Sequence, residues 1–431
     1  MIRRFFVWMH RWTGLAMAVF LIIVALTGSV LAFRASLDDW LNPGLLTVTR
    51  RDAPLLDGFT LRDKAAALYP QSAFDNVPLE IAPDRAVEFR HMPGMKADDN
   101  MMEKMVEFFL DPYTGERLGE RPNWSGPSLE RKNLISFIMR LHFALVSPFN
   151  GWYIHDHSFG AFLLGIVALL WTVDCFVAFY LTFPLRFVAV AQGAPGAHSS
   201  WWSRWVPAWL IKRKAGFYRL NFDIHRACGL WTWALLFIFA WSSVALNLGE
   251  VYGPTMKFVF GPKDPPAAET PQAPAPPSPP RVESPKLGYR EAYRMAGDLL
   301  KAEAGRRGFH IEKEQEFDLD RDGGVYTLFA QGSKVPEALS GTWTANVDAN
   351  TGEPRGVSFS GDAPPPPLGD RLTAWFIGIH LANLYGLPLR ILVCALGLVI
   401  TALSVTGVYI WWKKRKARGG ASSKVPLGQP T

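Results

Sequence analysis

The pattern His-Arg-x-x-Gly-Leu occurs twice in the sequence, beginning once at His10 and once at His225. Each copy opens a long apolar run. A single histidine at the end of a helix is usually a satisfied polar residue, but two copies in the same context indicate an internal repeat. Histidine is a frequent metal ligand, and the adjacent Arg11 and Arg226 could hold an acidic group beside it.

Each repeat contains a second histidine, placed before a second apolar run. These residues are His142, after Arg-Leu, and His380, after Gly-Ile. A long polar insert separates the two apolar runs of each repeat. Both inserts contain Asp-x-x-Thr-Gly-Glu, at 111–116 and at 348–353, and this combination is typical of a tight turn. The chain is therefore predicted to form helix, insert, helix, and then the same again.

The elements that carry the histidines are predicted to cross a membrane. Among the 431 residues, 49% are hydrophobic and the mean hydropathy is +0.07, which indicates a chain that is partly embedded and partly soluble. Four apolar runs reach the length of about 20 residues that a bilayer requires. They are Trp12–Phe33, Ser158–Phe183, Cys228–Leu248 and Leu387–Trp412.

Clusters of lysine and arginine set the predicted orientation. They precede the first run, lie between the second and third, and follow the fourth, which places both termini in the cytoplasm and both inserts outside. In a bacterium the inserts would lie in the periplasm. The net charge of +7 follows from this topology, so nucleic-acid binding is not needed to explain it. The three cysteines all fall within predicted spans without a Cys-x-x-Cys motif, which argues against disulfides, c-type haem and iron–sulfur clusters.

This topology places one histidine from each repeat at each face of the membrane. His10 and His225 would lie at the cytoplasmic face, and His142 and His380 near the periplasmic face. Two imidazoles that face each other within a helix bundle suit axial ligation of haem iron. Arg11 and Arg226 suit the propionates. The alternatives are histidines that only anchor helix ends, or a zinc or copper site, which no His-x-x-His pattern supports.

These motifs resemble the PepSY-associated transmembrane family, which includes ferric-siderophore reductases of the bacterial inner membrane. The resemblance rests on His-Arg-x-x-Gly, on the histidines before the second and fourth spans, and on the Asp-x-x-Thr-Gly-Glu turns. It implies a membrane all-α four-helix bundle with two periplasmic α+β PepSY-like inserts and two haem b groups. The segment between His142 and its span is longer than in the other repeat, so His155 or His157 could replace His142 as a ligand.

The resemblance implies that electrons pass across the membrane to a ferric siderophore. The sequence contains no Gly-rich phosphate loop, so the electron donor would be a quinol, a free reduced flavin or a separate reductase. Two alternatives are a reductase for another metal such as copper, and a non-enzymatic anchor or sensor that binds a periplasmic partner. The predicted divisions are 1–33 (first span), 34–133 (first insert), 134–183 (outer helix and second span), 184–220 (cytoplasmic loop), 221–249 (third span), 250–368 (Pro-rich linker and second insert), 369–412 (fourth span) and 413–431 (basic tail).

Three other features of the sequence are notable, and the first two have more than one interpretation. A Met/His cluster in the first insert could bind Cu(I), cover a substrate or only pack; its residues are His91, Met92, Met95, Met101, Met102 and Met105. Asp174 lies inside the second apolar run and could relay protons, or hydrogen-bond to Thr172 or to another helix. The acidic residues that alternate over 312–322 are interpreted as a solvated face of a strand.

Overall fold

The computed structural model describes residues 1–92, 105–123, 128–146, 152–154, 157–184, 200–261, 281–332, 342–362 and 366–422. The chain divides into two compact units. The helical unit consists of Met1–Arg34, Phe137–Gly261 and Pro367–Thr431. The insert unit consists of Ala35–Ser136 and Pro262–Pro366, so the two polar inserts belong to one compact unit.

The helices, in chain order, are α1 (Ile2–Leu31), α2 (Arg34–Leu41), α3 (Pro43–Leu46), α4 (Gly58–Leu68), α5 (Leu134–Ala144), α6 (Phe159–Thr182), α7 (Trp201–Trp205), α8 (Phe217–Trp231), α9 (Trp233–Asn247), α10 (Gly249–Phe260), α11 (Tyr289–Arg306), α12 (Leu368–His380) and α13 (Gly386–Ser422). The strands are β1 (Asn76–Pro78), β2 (Val87–His91), β3 (Val106–Leu110), β4 (Arg117–Pro122), β5 (Tyr153–Ile154), β6 (His157–Ser158), β7 (Ile311–Asp320), β8 (Val325–Gly332), β9 (Thr342–Asp348) and β10 (Pro354–Phe359).

Within the described residues, three helices are long and apolar enough to cross a membrane: α1, α6 and α13 over Gly386–Ala417. Together α8 and α9 make a fourth candidate, but they are bent by 70° at Thr232. The sequence predicts an uninterrupted span over Cys228–Leu248, and the structure differs there. Two side-chain hydrogen bonds are made at this bend. The Thr232 hydroxyl donates to Cys228 O one turn earlier in α8 at 2.8 Å, and Trp233 Nε1 donates to Cys175 O of α6 at 2.9 Å.

The helical unit has an apolar core shared by its long helices. α1 contributes Met17, Leu21 and Ala25, which pack with residues of α6, α9 and α13. α1 and α13 approach closely at Gly397, where an added Cβ would lie 2.1 Å from Ser29 Oγ and 2.6 Å from Ala25 O. Small residues permit such a contact between apolar helices, and this contact holds α1 and α13 in a fixed register.

The insert unit is built on a sheet to which both inserts contribute strands. Its order is β1-β7-β8-β9-β10, and β1 of the first insert pairs antiparallel with β7 of the second, Val77 opposite Phe317. Helix α11 packs on this sheet, and both Val77 and Phe317 are fully buried in the same core. A second sheet, β2-β3-β4, comes from the first insert alone. The two inserts therefore share a hydrophobic core.

The repeated Asp-x-x-Thr-Gly-Glu motif forms the predicted turn in both inserts. Asp111 Oδ1 accepts the backbone N–H of residues 113 and 114 at 2.8 and 3.2 Å, and Asp348 Oδ1 accepts those of residues 350 and 351, both at 2.9 Å. Gly115 and Gly352 have φ of 69° and 73°, in the left-handed region that glycine adopts without strain. The motif is thus a structural device that turns β3 into β4 and β9 into β10.

Candidate functional site

The helical unit contains two pairs of facing histidines. The first pair is His10 on α1 and His225 on α8, with ring centroids 6.1 Å apart and ring planes inclined by 56°. The second pair is His142 on α5 and His380 on α12, with centroids 6.2 Å apart and planes inclined by 67°. Each pair joins one histidine from each sequence repeat. These are the pairings that the sequence predicts from topology.

The ring spacing in both pairs leaves room for one metal ion between the imidazoles. A histidine nitrogen binds a first-row metal such as zinc at about 2.0–2.1 Å and lies about 1.1 Å from its ring centroid, so two rings on opposite sides of one ion have centroids about 6.3 Å apart. Within the described residues, no group of three or more His, Cys, Asp or Glu side chains could hold a bare ion. Two axial imidazoles complete the coordination of an iron whose other four ligands come from a macrocycle, as in haem.

In the first pair, hydrogen bonds orient both imidazoles through Nδ1. The Nδ1 of His10 donates to both carboxylate oxygens of Asp174 on α6, at 3.0 and 2.9 Å. The Nδ1 of His225 donates to Leu403 O at 3.0 Å and lies 3.1 Å from the hydroxyl of Thr406 on α13. A carboxylate and a carbonyl only accept, so both rings carry their proton on Nδ1 and present an Nε2 lone pair.

The second pair is oriented in the same way by hydroxyl groups. The Thr27 hydroxyl donates to Ile23 O at 2.7 Å, so it accepts from His142 Nδ1 at 3.0 Å. The Ser242 hydroxyl donates to Phe239 O at 3.2 Å and accepts from His380 Nδ1 at 2.8 Å. The Phe239 ring also stacks on His380 at 5.0 Å. All four histidines therefore offer Nε2 as a metal ligand, with Nδ1 held by a partner that fixes the ring.

Three of these partners, Thr27, Thr406 and Ser242, were not predicted from the sequence. Thr27 and Thr406 each stand in a Thr-Gly dipeptide, followed by Gly28 and Gly407. An added Cβ would lie 2.9 Å from His142 Cε1 at Gly28, and 3.2 Å from His225 Cε1 at Gly407. The dipeptide thus combines a hydroxyl that holds Nδ1 with a gap that admits the ring. The Thr-Gly dipeptides inside two apolar runs could have indicated Thr27 and Thr406 as histidine partners. The sequence around Ser242 contains no comparable pattern.

The first pair lies in the wall of a cavity of about 470 Å³ inside the helical unit. Gly14 and Gly229, the glycines of the two His-Arg-x-x-Gly-Leu motifs, line the same cavity. A residue four positions after a histidine shares its helix face, so these glycines stand beside the imidazoles. An added Cβ at Gly14 would have no neighbour within 4 Å, and the nearest atom at Gly229 is 3.9 Å away. The space fits a flat group between the rings.

The motif arginines line this cavity as well. Arg226 donates from Nη2 to Asp223 Oδ1 at 2.9 Å and to Pro207 O at 2.6 Å. Its Nε is buried, and no described residue accepts from it. A buried guanidinium N–H without an acceptor is costly, and a carboxylate of a bound group would satisfy it. These residues could hold a haem, with Arg226 Nε as a donor to one of its propionates.

The remaining predicted residues lie apart from these pairs or outside the described residues. His155, Met95, Met101 and Met102 belong to the latter group. His157 Nε2 lies 3.3 Å from Glu250 Oε2. His91 stacks on Tyr69 at 3.9 Å, and burial lowers the pKa of its imidazole.

The acidic run forms strand β7. Its Glu316 and Asp318 accept hydrogen bonds from Asn76 of β1, at 3.2 and 2.6 Å. The run therefore contributes to the junction between the two inserts, in addition to the solvated face that the sequence predicts.

Comparison with known proteins identifies a family. No curated protein matches the sequence. A family model described as PepSY-associated TM region matches residues 7–414, nearly the whole chain, and confirms the resemblance that the motifs indicate.

Proposed function

Because the chain belongs to the PepSY-associated TM family of membrane proteins, we propose that it is a haem b oxidoreductase that reduces ferric siderophores across the bacterial inner membrane. The observation that carries the proposal is the presence of two histidine pairs, each at the spacing of a bridged metal ion. In this proposal the helical unit is a four-helix bundle, both termini are cytoplasmic, and the PepSY-like inserts lie in the periplasm.

The two pairs are positioned to serve opposite membrane faces. His10 lies on α1, and His142 is hydrogen-bonded to Thr27 on the same helix. These positions are 17 residues apart in the sequence (27 minus 10), which at 1.5 Å per residue corresponds to about 26 Å along α1. That length is most of the hydrocarbon thickness of a bilayer, about 30 Å. Two separate sites are therefore needed to connect the two surfaces.

The residues around each pair would hold one haem b. Nε2 of His10 and His225 would bind the first haem iron, and Nε2 of His142 and His380 the second. Arg11 and Arg226 would donate hydrogen bonds to the propionates of the first haem, while Gly14 and Gly229 leave space for the macrocycle. Haem bound at the two sites would supply reversible one-electron transfer.

Two haem sites of this kind suit the reduction of a ferric siderophore. Fe(III) is held by hard oxygen ligands more tightly than Fe(II), so the addition of one electron promotes release of the iron. The step needs an electron at the outer surface and no nucleophile or acid–base pair. The electron enters from a quinol, a reduced flavin or a separate reductase on the cytoplasmic side.

The test uses the purified full-length chain. It should show a Soret band, become reduced by dithionite without oxygen, and be reoxidised by a ferric siderophore while Fe(II) accumulates in a ferrous-specific trap. A colourless protein would support the non-enzymatic anchor instead. Haems that stay reduced with ferric chelates but are reoxidised by Cu(II) would identify copper as the acceptor.

A further inference from the structure

The four histidines differ in the charge of the group that holds Nδ1. His142 and His380 donate to neutral hydroxyls, and His225 donates to a backbone carbonyl beside a hydroxyl. Among the described partners of these four histidines, the one carboxylate is that of Asp174, to which His10 donates with both oxygens within 3.0 Å. The first pair therefore has a carboxylate among its hydrogen-bond partners and the second pair has neutral partners, although the repeats that supply the histidines share a pattern.

Asp174 is held in a place where its charge acts strongly on His10. It lies within α6, one of the membrane-capable helices, and its side chain is only 10% exposed. The Thr13 hydroxyl lies 3.3 Å from Oδ1, and Asp174 lines the same cavity as the first pair. In a buried environment of low dielectric constant, a hydrogen bond to an ionised acceptor is stronger than one to a neutral acceptor. Acidic residues inside spans usually have a function.

We propose that Asp174 is a positioning residue that gives the first-pair haem the lower reduction potential of the two, and so sets the outward direction of electron transfer. The inference rests on the proposed function. A carboxylate that accepts the Nδ1 proton of a metal-bound imidazole makes Nε2 a stronger donor. A stronger axial donor stabilises Fe(III) relative to Fe(II), because the higher charge gains more from it.

The step that this asymmetry drives is an internal one-electron exchange. With haem bound at both sites, His10 and His225 would hold the iron that gives up the electron, passing from Fe(II) to Fe(III). His142 and His380 would hold the iron that takes it up, passing from Fe(III) to Fe(II). No bond forms or breaks, and no proton is needed for the balance. The cytoplasmic-side reductant named above replaces the electron, and the ferric chelate removes it.

Redox titration of the purified full-length protein tests the assignment directly. His380→Ala should retain only the first-pair haem and His225→Ala only the second, so the two potentials can be assigned. We expect the first-pair potential to be the lower one. A first-pair potential equal to or above that of the second pair would overturn the inference without any change at Asp174.

Substitution of Asp174 then tests the cause. Asp174→Asn keeps the shape but removes the charge, and Asp174→Ser supplies the hydroxyl partner found in the second pair. Either should raise the first-pair potential and lower the equilibrium constant for outward transfer about tenfold or more. Asp174→Glu should restore the difference. The Fe–imidazole stretching band in resonance Raman spectra should shift only at the first pair.

Thr27→Val is the matched control, because it removes the partner of His142 and should leave the first-pair potential unchanged. If both Asp174→Asn and Asp174→Ser keep the full haem content and an unshifted first-pair potential, the role of Asp174 is refuted and the proposed function is unaffected. Absence of haem from the wild-type protein would refute the proposed function itself, and this inference with it.

Discussion

Replacement of His225 by alanine should reduce the haem content from two groups per chain to one. This ratio follows from the proposed function, in which each pair would supply both axial ligands of one haem. His225 faces His10 at a centroid distance of 6.1 Å and takes no part in the second pair. The variant leaves the first site with a single imidazole, and the second site keeps both of its ligands.

Double variants make the prediction quantitative. His10→Ala with His225→Ala should still retain one haem, because both changes fall in the same site. His225→Ala with His380→Ala should retain almost none, because one change falls in each site. The expected haem contents per chain are thus two for wild type, one for His225→Ala, one for the double variant within the first pair and zero for the double variant across the pairs. Four histidines that each bound haem independently would instead give graded losses, so this pattern is specific to the pairing in the structure.

The assay is the pyridine haemochrome content of the detergent-purified protein relative to its amino-acid content. His157→Ala is the matched control: this histidine contacts Glu250 at 3.3 Å and should keep two haems. A first-pair double variant that loses both haems would refute the pairing. Full haem retention in His142→Ala would transfer the second-site ligand to His155 or His157.

Three further predictions concern the cavity and the insert unit. Gly14→Phe should prevent haem binding at the first site alone, because the side chain fills the cavity beside His10; a haem content of two would contradict this. Val77→Ala should destabilise the insert unit by about 2 kcal/mol, since it removes two methyl groups from a fully buried position and leaves a cavity; denaturant unfolding of the full chain would show no loss if β1 were dispensable. Burial, and then the charge of Glu316, raises the pKa of Asp318 to about 6, so its stabilising contribution is complete below pH 4 and is lost as the pH rises through 6. In thermal unfolding, Asp318→Asn should therefore be more stable than wild type at pH 8 but not at pH 4, with a difference in the free energy of unfolding of about 1 kcal/mol after discounting for partial exposure. The control is the exposed Asp298→Asn, which should have the stability of wild type at both pH values.

Local elements followed closely from the sequence. The two Asp-x-x-Thr-Gly-Glu motifs form the predicted turns, one between β3 and β4 and the other between β9 and β10. The bend at Thr232 was not predicted, because apolar composition alone does not distinguish one straight span from two helices that meet at an angle within the same apolar run. The addition of β1 to the second insert's sheet was not predicted either. Its partner β7 is more than 230 residues away, and period-two alternation does not indicate which strand will pair with which.

The sequence by itself determined the repeat, three of the four apolar spans, the glycine turns and the four histidines that pair in the structure, because each depends on residue type, local spacing or hydrophobic period. Tertiary structure decided which histidines face each other, how far apart their rings lie and which group holds each Nδ1. Those features depend on the close approach of helices at positions such as Gly397, and on side chains that are distant in sequence. The contact of Asp174 with His10 is the clearest case: the acid stands out in its apolar run, but only the packing of α6 against α1 brings it to the imidazole.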